Sequence, residues 1–303
     1  MLDAIAGAAS PRDYLAGLAA PLGPVRVGVT SATLPGVDLD PAVAAAFDEV
    51  LPVLRALGMT MVDVSLPAFA ATVAATMLTL YTEAFHLHEA TLRERWDDYG
   101  RSTRQRIASG AFSTGAELVR ARWQREDTRH RLDRLFDDVD VMVSPAMTVP
   151  APRLGPEERL DRNVTGRAAG ALRYWNATGC PALVVPMGLS SDGLPLSLQL
   201  AARHGNESLL LRIGVALQRE TDWHRREPPP AGGSAAAPAA VDAPRPPSDG
   251  DADVVAAVAA LDRLDIHPGA DRADLGSAYA AYRADVETLL AQAPAHRLAA
   301  VAP

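Results

Sequence analysis

A chain of 303 residues, 48% hydrophobic and 22% charged, has the apolar content to bury a sizeable core in one or two domains. Its formal net charge of −8 and pI near 5.4 oppose a phosphate backbone, which argues against nucleic acid as a partner despite local arginine clusters. The single Cys180 excludes an intrachain disulfide framework and fits a reducing cytoplasm.

The first twenty residues, MLDAIAGAASPRDYLAGLAA, place Asp3 where a signal peptide carries basic residues, and their apolar run is short, so no secretion signal is expected. The sequons at Asn163, Asn176 and Asn206 are accordingly chance matches. VRVGVT at 25–30 reads as a strand. It is followed by a helix over 40–58, with Asp40 as N-cap, Pro41 in the first turn and Gly58 at the exit. Val43, Phe47, Val50, Leu54 and Leu57 form its apolar stripe, and Pro52 is an internal flaw. TMVDVSLP at 60–67 alternates as a second strand, completing a strand–helix–strand unit of an α/β layer.

Residues 64–82 carry no charge over a membrane-length window, but they are rich in Ala and Thr and contain a proline, so a buried helix start is expected there and no membrane partner. From Ala70 to Phe136 the pattern is helical. Thr114 and Glu117 have capping-box spacing, and the arginines that follow alternate with Glu126, Asp127 and Asp133 as a solvated face. VDVMVSP at 139–145 is a third strand, followed by a proline-rich loop and a small-residue helix, TGRAAGALRYW, at 165–175. NATGCPALVVPMGLSSDGLPLSLQL, residues 176–200, then reads as a hairpin with Asp192-Gly193 at its turn. Residues 228–250 are a Pro/Ala/Gly linker, expected to be disordered. Beyond it Val254, Val258 and Leu261, then Leu275, Tyr279, Tyr282, Val286 and Leu289, mark two amphipathic helices too small to form a core alone.

The residues by themselves offer no autonomous site. Ser190 and Ser191 sit at a hairpin tip, and no G-x-S-x-G elbow occurs. Cys180 precedes an apolar strand, where a thiol acts as a small hydrophobe; a hydrolase built on Cys180 is a third-ranked reading. His86 and His88 diverge around a helix, and neither metal-binding motifs nor nucleotide-binding loops are present, so no metal or cofactor is expected. One absence outweighs these details. All 29 basic residues are arginine, so a mechanism that needs a lysine base cannot run on these residues alone.

Several stretches nevertheless resemble, in order, landmarks of the amidase signature family of amide hydrolases. They are LDAIAG near the start, EAFHLHEATLRERWDDYG at 83–100, FDDVDVMVSP with VPAP at 136–152, and WNATGCPALVVPMGLSSDGLPLSLQLAARHGNESLLLRIGVALQRETDWHRREPP at 175–229. The resemblance covers residues 1–229 and matches the family's C-terminal half. It implies a partial α/β/α fold: a mixed twisted sheet flanked by helices, with the two-helix tail as an addition. It also implies acyl transfer from an amide to a serine, with a second serine, a lysine base and a Gly/Ser-rich loop, all belonging to the family's N-terminal half. No catalytic residue is therefore expected in this chain.

By the same resemblance the helix before Asn176 faces the acyl pocket, with Ala169, Arg173 and Asn176 as substrate-binding candidates, Ser144 to Met147 near the rim, and His88 at the pocket edge or structural. Ser197 stands where the family commonly has glycine. The expected organisation is an amidase-like region over 1–227, a linker over 228–250 and a helical tail over 251–295 that docks back onto the amidase region. The leading expectation is a truncated or split amidase, inactive alone, that needs a separately encoded N-terminal half and a small-molecule amide; a homodimer is also allowed. The alternative is a non-catalytic binding or scaffold protein derived from an amidase. Strands meant to pair with an absent half would leave open edges.

Overall fold

The computed structural model describes residues 14, 17–18, 20–30, 38–151, 169–227, 252–266 and 272–292. The LDAIAG stretch, Asn163, the start of the 165–175 helix and the 228–250 linker lie outside the described residues. The chain divides into two compact units, Met1–Pro67 with Arg129–Pro238, and Ala68–Thr128 with Ala239–Pro303.

The first unit is built on a five-stranded sheet, β1 (Val25–Val29), β2 (Met59–Asp63), β3 (Val141–Pro145), β4 (Ala182–Leu189) and β5 (Pro195–Ala202), in the order β2-β1-β3-β5-β4. β1 pairs in parallel with β2 and β3, whereas β5 runs antiparallel to both β3 and β4. The sheet is therefore mixed, as expected. Between β1 and β2 lies α1 (Pro41–Ala56), whose start follows the cap reading: Asp40 Oδ1 accepts from Ala42 N at 2.9 Å, and proline occupies the first turn, where a missing N–H costs nothing. Val43, Phe47, Val50 and Leu54 are buried. The helix closes at Ala56, leaving Leu57 as a half-buried C-cap before Gly58, whose φ of +86° turns the chain into β2.

Core-facing side chains alternate along the strands, Val25 and Val27, Val141 and Val143, Leu198 and Leu200, and pack against α1 and against Leu210, Ile213 and Leu217 of α6 (Glu207–Glu220). Arg26 fixes the start of the β1–β3 pair, with Nη2 2.9 Å from Asp140 Oδ1 and Nε 3.2 Å from Oδ2. β4 carries a register shift between Pro186 and Gly188 and, as an edge strand, leaves Val184 and Leu189 exposed.

The hairpin tip behaves as its sequence predicts. Ser190 N donates to Leu194 O, its Oγ accepts from Leu194 N, and Gly193 takes a φ of +78°.

The second unit is helical: α2 (Phe69–Glu94), a 3-10 turn Trp96–Asp98, α3 (Arg101–Ala108), a 3-10 turn Ser109–Phe112, the N-terminal part of α4 (Gly115–Leu135), α7 (Ala252–Asp262) and α8 (Arg272–Gln292). The capping box at the start of α4 forms as predicted, with Thr114 N and Oγ1 donating to Glu117 Oε2 and Glu117 N donating to Thr114 Oγ1. The inward stripe of α4 departs from an apolar pattern: Gln124 and Thr128 are buried, and Gln124 Nε2 and Thr72 hydrogen-bond to Thr128 Oγ1 at 3.1 and 2.7 Å. The arginines at 120, 122, 129, 131 and 134 are exposed, the solvated face that their alternation with acids predicts.

The tail helices do not stand alone. Ala257, Leu261, Ile266 and Leu275 join Phe85, Leu92, Trp96, Ile107 and Phe112 in one core cluster, and Leu289 joins Ala75, Leu78 and Ala121 in another. No helix among the described residues is long and apolar enough to cross a membrane.

Two outcomes follow. A methyl at Gly110 would run into the Tyr81 carbonyl and lie 2.6 Å from Phe85 Cβ, so Gly110→Ala is expected to lower stability by about 1–3 kcal/mol in urea unfolding. At Glu117 burial pushes the carboxyl up, but hydrogen bonds from Tyr282 and Thr114 outweigh it and hold the pKa below the usual value of 4.5. A depressed folded pKa gives stability that is complete above the unfolded value and lost as pH falls through the folded one. The urea midpoint of the second unit should therefore drop below pH 4.5, and Glu117→Gln should flatten part of that fall.

Candidate functional site

Connections from β1 reach β2 on one flank, while β3 lies on the other. In sheets of this kind the crevice outside the carboxyl ends of the parallel strands, at the reversal of strand order, is where ligands bind. Those ends here are Thr30, just beyond β1, and Ser144–Pro145 of β3.

Alternation places Ser144 and Gln199 on the sheet face opposite the apolar core, because Val143, Leu198 and Leu200 point into that core. Gln199 lies opposite Ser144 on one side and opposite Val184 on the other, and Thr30 continues past the Val29–Val143 pair. The result is a buried polar row over three adjacent strands. Thr30 Oγ1 donates to Val143 O at 3.0 Å. Gln199 is 2% exposed, and its buried Oε1 accepts no hydrogen bond from the described residues. An unmatched buried acceptor costs about 1–3 kcal/mol, so this position calls for a donor such as a ligand N–H or an ordered water.

A cavity of about 290 Å³ lies at the same end of β3. Met147, Val149 and Pro150 of the following loop, Val43 of α1 and Leu196 and Ser197 of β5 contribute to its wall, which is largely apolar. The loop is pinned at two points: Asp40 N donates to Thr148 O at 2.8 Å, and Ala146 N donates to Ser197 O at 2.8 Å. Ser197 lies opposite Pro186, at the register shift of the β4–β5 ladder.

The expected site residues fall into three groups. Met147 lines the cavity, and Ser144 lies three residues before it, buried in β3. Ala169, Arg173 and Asn176 share one face of α5 (Gly170–Thr178), spaced at i, i+4 and i+7; Ala169 is its N-cap position, Arg173 is half-buried and Asn176 is exposed. The helix is anchored by Tyr174, which is buried, donates to Pro67 O at 2.9 Å and meets Trp175 edge-to-face at 5.2 Å. His88 belongs to the other unit, where its Nδ1 is 3.0 Å from Tyr99 Oη and the rings meet edge-to-face.

Gln199 and Thr30 are absent from the sequence expectation. The available signal was a glutamine at an alternate position of the apolar run PLSLQL. Cys180 is half-buried, and burial pushes its thiol up despite a hydrogen bond with Thr178, which disfavours the thiolate a nucleophile needs. Among the described residues no three His, Cys, Asp or Glu side chains gather as metal ligands. The Arg173 guanidinium offers charge and hydrogen-bond donors but no acceptor.

A family model for amidases matches residues 4–211. A glutamyl-tRNA(Gln) amidotransferase subunit from Chloroflexus aggregans is 31% identical over 71% of this chain and 48% of its own length. An amidase from Pseudomonas putida is 29% identical over 63% of this chain and 42% of its own. One solved chain is described as the inhibitor-bound form of an unexpected vestigial protein complex that reveals the evolutionary origins of an s-triazine catabolic enzyme. It superposes with a TM-score of 0.60 at 28% identity, over 69% of this chain and 46% of that one. This chain spans about half the length of the curated relatives it matches. With the amidase family model matching residues 4–211, more than half of its length, the chain belongs to the amidase family.

Proposed function

We propose that these residues form the acyl-pocket wall of an amidase that cleaves the C–N bond of a carboxylic amide by acyl transfer to a serine. The nucleophile and its amine base come from a polypeptide segment outside the 303 residues, a separately encoded amidase half being the simplest source. One observation carries this reading. The sequence has no lysine, all 29 of its Lys+Arg residues being arginine, whose guanidinium stays protonated and cannot take a proton from a hydroxyl, whereas the family reaction implied by the sequence uses lysine. The apolar cavity at Met147 supports a pocket for a small neutral group, and this reading assigns the unmatched acceptor of Gln199, on the other face of the sheet, and Ala169, Arg173 and Asn176 of α5 to polar contacts with the amide. Ser144 is buried in β3 on the sheet face opposite the apolar wall, and this reading makes His88, paired with Tyr99, structural. A reducing, cytoplasmic setting suits the lone half-buried thiol.

A second reading, a non-catalytic binding or scaffold protein derived from an amidase, draws on the relative described as part of a vestigial complex. On that reading the pocket wall survives as an interface, and no added segment restores turnover.

Hydrolysis of a simple aryl amide separates these outcomes. The purified chain alone should release no aniline above the buffer rate; turnover by the chain, with an acyl adduct trapped on one of its own residues, would defeat the proposal. Addition of a lysine- and serine-bearing amidase half should restore activity. In that reconstituted enzyme Arg173→Ala should lower kcat/KM about tenfold, equivalent to about 1.4 kcal/mol of transition-state binding.

A further inference from the structure

A second cavity, of about 500 Å³, lies in the first unit at the other end of α1. Val43 lines the first cavity and Val53 the second, and ten residues at about 1.5 Å each set the two roughly 15 Å apart along the helix. The rest of its wall comes from the last turn of α6 and the 3-10 turn Trp223–Arg225, all beyond residue 211, where the family match ends.

The local sequence shapes this wall. α6 ends at Glu220, because Thr221 adopts an extended conformation, and the Thr221 hydroxyl donates to Leu217 O at 2.9 Å. The following turn is closed by Arg225 N donating to Asp222 O at 2.9 Å. Trp223 is thereby half-buried: it packs against the main core cluster and, with half-buried Val53, also lines the cavity.

Around this apolar floor stand charges of both signs. Asp222 is spent on Arg226, whose Nη2 is 3.7 Å from its Oδ1. Arg219, Arg225 and Glu220 also line the cavity and are exposed, and none of the three has an ion-pair partner among the described residues. The carbonyls of Gln218, Arg219 and Glu220 receive no backbone N–H from the described residues beyond the helix, so the negative end of α6 meets the same cavity. A simple anion would face Glu220 and these carbonyls, and a simple cation would face two guanidiniums. A molecule that carries both charges close together on an apolar body complements every group.

We propose that this cavity binds a zwitterionic α-amino acid with an aromatic side chain. The ring lies on Trp223 and Val53, the carboxylate pairs with Arg219 and Arg225, and the ammonium pairs with Glu220 and the last carbonyls of α6. A volume of about 500 Å³ falls within the range of small-molecule sites. This inference is independent of the amide-hydrolysis reading.

Isothermal titration calorimetry of the full chain with L-phenylalanine tests it. The heats should saturate at one ligand per chain. N-acetyl-L-phenylalanine, which lacks the ammonium, 2-phenylethylamine, which lacks the carboxylate, and glycine, which lacks the ring, should each bind at least about tenfold more weakly. Arg225→Gln should weaken L-phenylalanine about tenfold while leaving 2-phenylethylamine unchanged, and Glu220→Gln should weaken L-phenylalanine about tenfold while leaving N-acetyl-L-phenylalanine unchanged. Arg219→Gln, also at an exposed position, takes the place of either variant that loses its cooperative melt. Absence of saturable binding by the folded chain would overturn the proposal. So would an affinity for L-phenylalanine that the substitutions do not move, since the ligand would then lie elsewhere, or analogues that bind as tightly as the amino acid.

Discussion

β3 is buried along its whole length between a parallel neighbour and an antiparallel one, and that position constrains the rest of the first unit. A strand closed in on both sides has one register, because a slip by one residue would send Val141 and Val143 to the polar row and Met142 and Ser144 into the apolar core. Arg26 holds that register at one end through Asp140. At the other end the chain leaves the sheet as a loop pinned to Ser197 and Asp40. The cavity, the polar row and the approach from α1 are all consequences of where this strand stops.

The same constraint separates shape from reactivity. A sheet fixed so firmly can present a rigid apolar wall and a few oriented polar groups, the usual make-up of a small-molecule pocket. The polar groups of the row are the hydroxyls of Thr30 and Ser144 and the carboxamide of Gln199.

Much of this was legible in the residues because it is written locally. Asp40-Pro41 announced α1, Thr114 and Glu117 announced α4, and Asp192-Gly193 announced the hairpin, each through hydrogen bonds spanning only a few residues. The tail helices were legible as amphipathic, but their receptor was not, since Phe112 and Tyr279 are remote in sequence and spacing rules see only one helix at a time. Gln199 escaped for a related reason: an isolated glutamine reads as an outward-facing residue of a half-exposed strand, and only cross-strand pairing with Ser144 reveals it as buried. The inward side of α4 ran against the pattern altogether, because Gln124 and Thr128 satisfy one another and so occupy positions usually given to hydrocarbon.

The Phe112 contact also has a bearing on synthesis. Because its tyrosine cover is encoded near the far end of the sequence, a ribosome adding ~5–20 residues per second leaves the nascent α2 and α3 surface uncovered for on the order of tens of seconds. Over that interval the emerging polypeptide presents a greasy patch to its surroundings, so the yield of folded protein depends on chaperone supply and translation speed as well as on the stability of the finished molecule.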